Sequence, residues 1–294
     1  MSDAVHYRYR LDGKIAVLGS AGQLGREILA RLDGDVTPWT RKDADLTDAE
    51  SLSQVIHRLK PSIVINCAAY NFVDRAESEP QAAFAVNAFA PRTLADLARQ
   101  MGFLLVHFST DYVFGLDANR AIPYRESDAP GPISVYGTSK LAGEFFIRSM
   151  APQHLVIRTC GLYGRWGSGG KGTNFVETML RLAGEGKPIR VVNDQVLTPT
   201  AAADVADACL RMIQDGVRGL RHLTNSGQCS WYEFARAIFE IAAVTANLSP
   251  TDSASYGAAA PRPTYSVLVS EYKDTPKLRP WREALAAYLT ERLR

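Results

Sequence analysis

Tyr136 and Lys140, in the run Val135-Tyr-Gly-Thr-Ser-Lys140, stand four residues apart. In a helix that spacing puts both side chains on one face, close enough to act together. Free tyrosine ionises near pKa ~10, too high for a proton carrier at neutral pH. An adjacent ammonium favours the phenolate and brings that value toward the working range. The spacing alone occurs in many solvated helices. It gains meaning from Ser109-Thr110-Asp111 and a glycine-rich turn upstream. A hydroxyl at Ser109 or Thr110 can donate to a substrate carbonyl while Tyr136 supplies the proton. Thr110, Tyr136 and Lys140 then form a set for carbonyl reduction or alcohol oxidation, with Lys140 tuning Tyr136 and binding a nicotinamide ribose. The plainer alternative makes Ser109 and Thr110 turn formers.

The glycine turn is Gly19-Ser-Ala-Gly22-Gln23-Leu24-Gly25, directly after an apolar run and opening a helical pattern. Glycine there permits a tight turn and lets a pyrophosphate approach backbone N–H groups at a helix N-terminus. The spacing is G-x-x-G-x-x-G rather than the commoner G-x-G-x-x-G. The adenosine ribose then falls near Thr40-Arg41-Lys42. Arg41 suits the 2′-phosphate of NADPH, whereas Asp43 nearby keeps NADH open. Asp45 and Leu46 are placed to meet the adenine edge, and Asp45 could equally cap the following helix.

The elements that must position these groups alternate in the manner of a parallel α/β sheet. Strands are expected at Lys14–Leu18, Asp35–Trp39 (weakened by Pro38), Ser62–Asn66, Phe103–Phe108 and Leu155–Arg158. Helices are expected at Gln23–Leu32, Ala49–Arg58, Glu79–Met101 with a break near Pro91, and from Tyr136 to about Ser149. Beyond Thr159 the alternation weakens. Arg165–Gly172 reads as a mobile loop, Asn174–Ala183 and Ser230–Ala242 as helices, and Ser249–Pro263 as surface loop. Ile189–Asn193 and Leu220–Leu223 are candidates to rejoin the sheet. The expected fold is a Rossmann-like, doubly wound α/β sheet with a smaller α/β substrate-binding lobe. Residues 1–160, with 186–224 returning, would form the dinucleotide domain; 161–185 and 225–294 would form the lobe.

Bulk properties narrow the function classes. The 294 residues allow a sizeable core, and 46% hydrophobic with 22% charged residues is ordinary globular composition. A formal charge of +2 argues against a nucleic-acid binder that relies on a basic field. The first thirteen residues lack the apolar stretch of a signal peptide, and no segment reaches the ~20 apolar residues of a membrane span. Cys67, Cys160, Cys209 and Cys229 form no C-x-x-C pair or His-Cys cluster, so no metal residue is assigned. Four buried, reduced thiols suit a cytoplasmic enzyme.

The chain resembles the extended short-chain dehydrogenase/reductases, and within them the dTDP-4-dehydrorhamnose reductase family. The resemblance rests on the glycine turn, Asn66-Cys-Ala-Ala-Tyr70, Val73-Asp74, Ala76-Glu77, Val86-Asn87, Ser109-Thr-Asp-Tyr-Val-Phe114 and Tyr136-Gly-Thr-Ser-Lys140. It continues through Arg158-Thr159, Leu162-Tyr163-Gly164, Asn174-Phe175-Val176, Asp194-Gln195, Pro199-Thr200 and Arg262-Pro263. It implies reduction of the C4 ketone of dTDP-4-dehydro-β-L-rhamnose with NAD(P)H, and Thr110, Tyr136 and Lys140 carry over as the catalytic set. Ala68, Ala69, Tyr70 and Asn87 would line the cofactor, and Asp111 and Tyr112 would meet the sugar. Asn174, Phe175 and Arg262 would hold the nucleotide part. A homodimer and a Mg²⁺ ion are expectations of the resemblance alone.

Three positions depart from the family pattern: Gly161 in place of a sugar-facing tryptophan, Leu197 in place of glycine, and Tyr265 in place of asparagine. All lie where a sugar pocket is shaped, and Trp166 is a candidate to fill the tryptophan's space. The reading is therefore an NADPH-preferring ketoreductase of a nucleotide-linked deoxysugar, with the rhamnose compound first and another 4-keto sugar second. Two other readings remain. One is a non-catalytic NADP-binding subunit resembling the β subunit of methionine adenosyltransferase. The other is an epimerase or dehydratase that retains its nicotinamide.

Overall fold

The computed structural model describes residues 8–166 and 172–292. Its centre is a six-stranded, all-parallel sheet made of β1 (Ile15–Leu18), β2 (Val36–Trp39), β3 (Ile63–Asn66), β4 (Leu104–Thr110), β5 (His154–Thr159) and β6 (Gly219–His222). The spatial order is β6-β5-β4-β3-β1-β2. Buried on both faces, β1 reads as an unbroken apolar run and β3 as one up to its terminal Asn66, as parallel strands do. Pro38 is accommodated because β2 is the edge strand, pairing on one side only, with β1.

Helices cover both faces. On one side α1 (Gln23–Leu29) packs with the later helix Ala202–Gln214 over Ile15, Val17, Ile65 and Val106. On the other, α2 (Ala49–Leu59), α3 (Ala90–Met101) and α4 (Val135–Met150) pack over Ala16, Leu18, Val64 and Leu105. A third apolar cluster joins α5 (Phe175–Gly184), Trp231–Ile241 and Trp281–Arg292 around Phe234 and Tyr163.

Several boundaries differ from expectation. The run before α3 is Val73–Ser78, then Pro80–Phe84, then a π turn over Ala85–Phe89. The break thus falls at Glu79, and Pro91 is absorbed in the first turn of α3, where its missing N–H costs nothing. β4 extends through Thr110, so Ser109 and Thr110 end a strand rather than follow it. Ile189–Val192 does not rejoin the large sheet. It pairs with Leu248–Thr251, a strand that overlaps the start of the segment expected to be loop, whereas Gly219–His222 does pair with β5. Tyr9–Arg10 adds an unexpected pairing with Leu32–Asp33. Most of the expected mobile loop, residues 167–171, lies outside the described residues.

Candidate active site

In doubly wound sheets the strand order reverses at a crevice beyond the carboxyl ends of the strands, here between β1 and β3. A cavity of about 500 Å³ opens there, with Gly22, Gln23 and Leu24 at its walls together with Thr110, Tyr136 and Lys140. Two residue groups more than eighty positions apart in the chain therefore share one space.

The glycine turn is built as a close approach. Gly19 has φ +72°, and a Cβ on it would stand 2.7 Å from the Ala68 backbone nitrogen. A Cβ on Gly25 would meet the Gly19 carbonyl oxygen at 2.4 Å. Helix α1 begins after Gly22 with no side-chain cap and no acidic residue in its first turn. Its leading N–H groups are free to meet an anion.

Helix α4 presents Tyr136 and Lys140 as the spacing predicted. Ser134 caps it by accepting the Gly137 N–H at 3.1 Å, and Glu77 accepts the Val135 N–H at 2.9 Å. Two glycines let it sit close. A Cβ on Gly137 would come within 2.2 Å of the Tyr112 carbonyl oxygen, and one on Gly143 within 2.2 Å of that of Asn87. Each costs the helix about 1 kcal/mol of propensity, and each permits an approach that a side chain would block.

The Lys140 ammonium is not aimed at Tyr136. Its Nζ donates to the Phe108 carbonyl at 2.6 Å and lies 3.3 Å from His107 Nε2. Burial lowers its pKa to about 8, against the pull of Glu144. Burial likewise raises the Tyr136 pKa; a hydrogen bond with Thr110 works downward and the charge of Asp111 upward. The expected lowering of Tyr136 by its lysine neighbour is thus corrected. A phenol in this setting keeps its proton, which equips it to give one.

Thr110 Oγ1 donates to Asp111 Oδ1 at 3.1 Å and accepts the Tyr112 N–H at 3.2 Å. Asp111 is buried, its pKa raised by desolvation, and its other oxygen accepts the Cys160 thiol at 3.0 Å. Tyr112 meets Tyr136 edge to face, centroids 5.9 Å apart. Ser109 Oγ and Thr159 Oγ1 are buried on the cavity wall without a partner among the described residues. That unmet demand fits a carboxamide or sugar hydroxyl. Together with the uncapped α1, it makes the cavity a fit for a dinucleotide and a polar second substrate.

Other expected residues are placed less directly. Ala69 lines the cavity, but Ala68 packs on the Gly19 turn, and Tyr70 turns aside to donate to Glu79 at 2.7 Å. Asn87 is a brace: it accepts the Tyr70 N–H and donates to the Tyr70 carbonyl and to Ser139 Oγ. Asn174 lines the cavity yet spends its side chain capping α5 at Glu177 N and donating to the Gly164 carbonyl at 2.7 Å. Phe175 also lines it, stacked on Phe234. Arg262 is held by Asp74 at 2.8 and 3.1 Å, beside the cavity-lining Pro263.

At the adenosine end Arg41 is 83% exposed and meets Asp45 at 3.2 Å. Asp45 turns back on Thr47, and it is Asp48 that caps α2. Leu46 is buried with Trp39 and Leu52 rather than presented at the surface. Trp166 lies under the Arg26 guanidinium, 5.2 Å from its ring centre, at the glycine-turn end. The space beside Gly161 belongs instead to Leu197, whose Cδ1 would be 3.0 Å from a Cβ there. Among the described residues no group of three or more His, Cys, Asp or Glu side chains is placed to hold a metal ion, so no ligand set supports Mg²⁺. Nor is any helix among them long and apolar enough to cross a membrane.

Four groups at the site carry no sequence motif for their role: His107 beside Lys140, the unpaired Ser109 and Thr159 hydroxyls, and Ser266, which also lines the cavity. A polar residue inside an apolar central strand, as at His107, was the available signal.

Comparison with known proteins adds independent findings. The family described as RmlD substrate binding domain matches residues 13–294. The spore coat polysaccharide biosynthesis protein SpsK of Bacillus subtilis is 39% identical over 95% of this chain and 98% of its own length. The dTDP-4-dehydrorhamnose reductase of Mycolicibacterium smegmatis is 40% identical over 95% of this chain and 87% of its own. The crystal structure of dTDP-4-dehydrorhamnose reductase from Bacillus anthracis in complex with NADP superposes with a TM-score of 0.89. It is 36% identical and covers 97% of this chain and 99% of that one.

Proposed function

The chain belongs to the dTDP-4-dehydrorhamnose reductase family, within the extended short-chain dehydrogenase/reductases, and from that premise we propose its reaction and the residues that perform it. The reaction is reduction of the C4 ketone of dTDP-4-dehydro-β-L-rhamnose to dTDP-β-L-rhamnose with NADPH. The observation that carries the proposal is the single cavity shared by the Gly22–Leu24 turn and by Thr110, Tyr136 and Lys140.

NADPH, held along the Gly19–Gly25 turn and Ala69, supplies the hydride. Tyr136 gives its phenolic proton to the former carbonyl oxygen, as a general acid with a raised pKa can. Thr110 holds that oxygen beside Tyr136 through its hydroxyl. Lys140 binds the nicotinamide ribose, and when protonated its charge offsets the phenolate left behind. Arg41 reads the 2′-phosphate, its exposed guanidinium exchanging Asp45 for the stronger anion. Residues 1–160 supply these groups, while Asn174, Phe175 and Arg262 steady the nucleotide part of the sugar donor from the later segments.

A second reading, another nucleotide-linked 4-keto-deoxysugar, draws on the Gly161–Leu197 contact, which puts an apolar wall on the cavity. NADPH oxidation measured with dTDP-4-dehydro-L-rhamnose, and product NMR, tests the choice. Turnover to dTDP-L-rhamnose is expected. NADPH binding without turnover would overturn this sugar and favour the second reading.

A further inference from the structure

We propose that His107 is a positioning residue for Lys140: its Nε2–H donates to the lysine's lone pair and favours the uncharged amine over the ammonium. The argument runs on the polarity of a buried hydrogen-bond chain. The Ala68 backbone N–H, which can only donate, reaches Asn66 Oδ1 at 3.1 Å. That contact fixes the Asn66 amide, so its Nδ2 faces His107 Nδ1 at 3.1 Å as a donor. Nδ1 must then be the unprotonated nitrogen. A neutral imidazole carries one proton, which therefore sits on Nε2, facing Lys140 Nζ at 3.3 Å. Lys140 accepts that proton's hydrogen bond through its lone pair and donates its own N–H to the Phe108 carbonyl at 2.6 Å.

All three side chains are at least 98% buried, so water does not relax the constraint. Burial is the first cause that keeps His107 neutral, its pKa well below the ordinary value, and any charge on the nearby lysine acts in the same sense. Burial draws the Lys140 ammonium down to about 8 against the pull of Glu144, and the histidine contact acts in the same sense as burial. To accept a proton, Lys140 would have to donate to Nε2. His107 would then carry its proton on Nδ1, against the Asn66 N–H. Charging the lysine thus costs one buried hydrogen bond.

The other titratable and charged groups around Lys140 do not change this sign. On its own helix are Tyr136 and Glu144, and Glu144 is bound by Arg158 of β5 at 2.6–3.2 Å. After β4 stand Asp111 and Tyr112, with the Asp111 oxygens taken by Thr110 and Cys160. Cys67 follows β3 on the cavity wall, its thiol pushed up by burial, and Glu77 sits at the entry of α4. None of them donates to the lysine nitrogen.

Only the catalytic consequence rests on the reductase reading; the tautomer does not. The test is nitrogen-15 NMR of histidine-labelled, full-length protein at mildly alkaline pH, with the His107 signals identified by their loss in His107→Phe. The Nε2–H tautomer is expected, and the Nδ1–H tautomer would overturn the proposal. Because this is read in the unaltered protein, it holds even if the variant folds poorly. In a folded His107→Phe, the Lys140 titration followed by lysine carbon-13 NMR should move up by about one pH unit. A midpoint that stays or falls would also overturn it. The alkaline limb of kcat/KM for NADPH oxidation should move with that midpoint. An inactive protein with the expected tautomer would sink the substrate assignment and leave the His107 assignment standing.

Discussion

At the scale of single residues, the proposed chemistry depends on a phenol that holds its proton until an alkoxide forms. The raised pKa of Tyr136 has burial as its first cause and the charge of Asp111 as a further one. Tyr136→Phe keeps the ring and its edge-to-face contact with Tyr112 but removes the proton. It should lower kcat by roughly 10²–10⁴-fold, with the NADPH dissociation constant little changed. Full turnover in that variant would take Tyr136 out of the mechanism. Arg41→Ala should weaken NADPH binding well beyond NADH, because a phosphate–guanidinium pair exists only with the former. Equal loss for both cofactors would mean that Arg41 reads no phosphate.

At the scale of elements, the site is set by how near α4 comes to its neighbours. Gly143 faces the Asn87 carbonyl inside the π turn, and a Cβ there would be 2.2 Å from that oxygen. The π turn's wider backbone carries Asn87, whose side chain braces Tyr70 and Ser139. Gly143→Ala should therefore destabilise by about 1–3 kcal/mol despite alanine's better helix propensity. A urea midpoint equal to or above that of the parent would contradict this packing. Capping explains α5 in the same terms: Asn174, read from the sequence as a nucleotide contact, starts the helix that presents Phe175 to the cavity.

At the scale of the whole molecule, buried charge ties the sheet to the later segments. Arg158 on β5 meets Glu144 on α4 and, at 3.3 Å, His222 on β6, whose Nδ1 faces the Tyr124 and Val269 carbonyls. Burial brings the His222 pKa from 6.5 down to about 4. Between those values the unfolded chain binds a proton that the native imidazole refuses, so stability falls as pH drops through the interval. Glu126, whose pKa is lowered by Ser270 and His222 against the effect of burial, adds to the loss at the acid end. Thermal midpoints recorded across that range should decline, and His222→Gln should flatten part of the decline. A level profile in the parent protein would show that these groups do not couple folding to protons.

The strand–turn–helix at Gly19–Gly25, the parallel alternation up to β5, and the shared face of Tyr136 and Lys140 were legible in the amino-acid order. Those features follow from local rules: glycine's conformational freedom, apolar periodicity and the pitch of a helix. Where Lys140 points was not legible, because its partners are the carbonyl of Phe108 and the ring of His107, more than thirty residues away. The pairing of Ile189–Val192 with Leu248–Thr251 escaped for a related reason. A short strand carries no mark of which edge it will join, and loop closure over some sixty residues is decided by the faces available in the folded core. The tertiary structure also turned Asn87, Asp74 and Glu77 from motif letters into braces. Their hydrogen-bond partners Ser139, Arg262 and Val135 come from segments the sheet brings together.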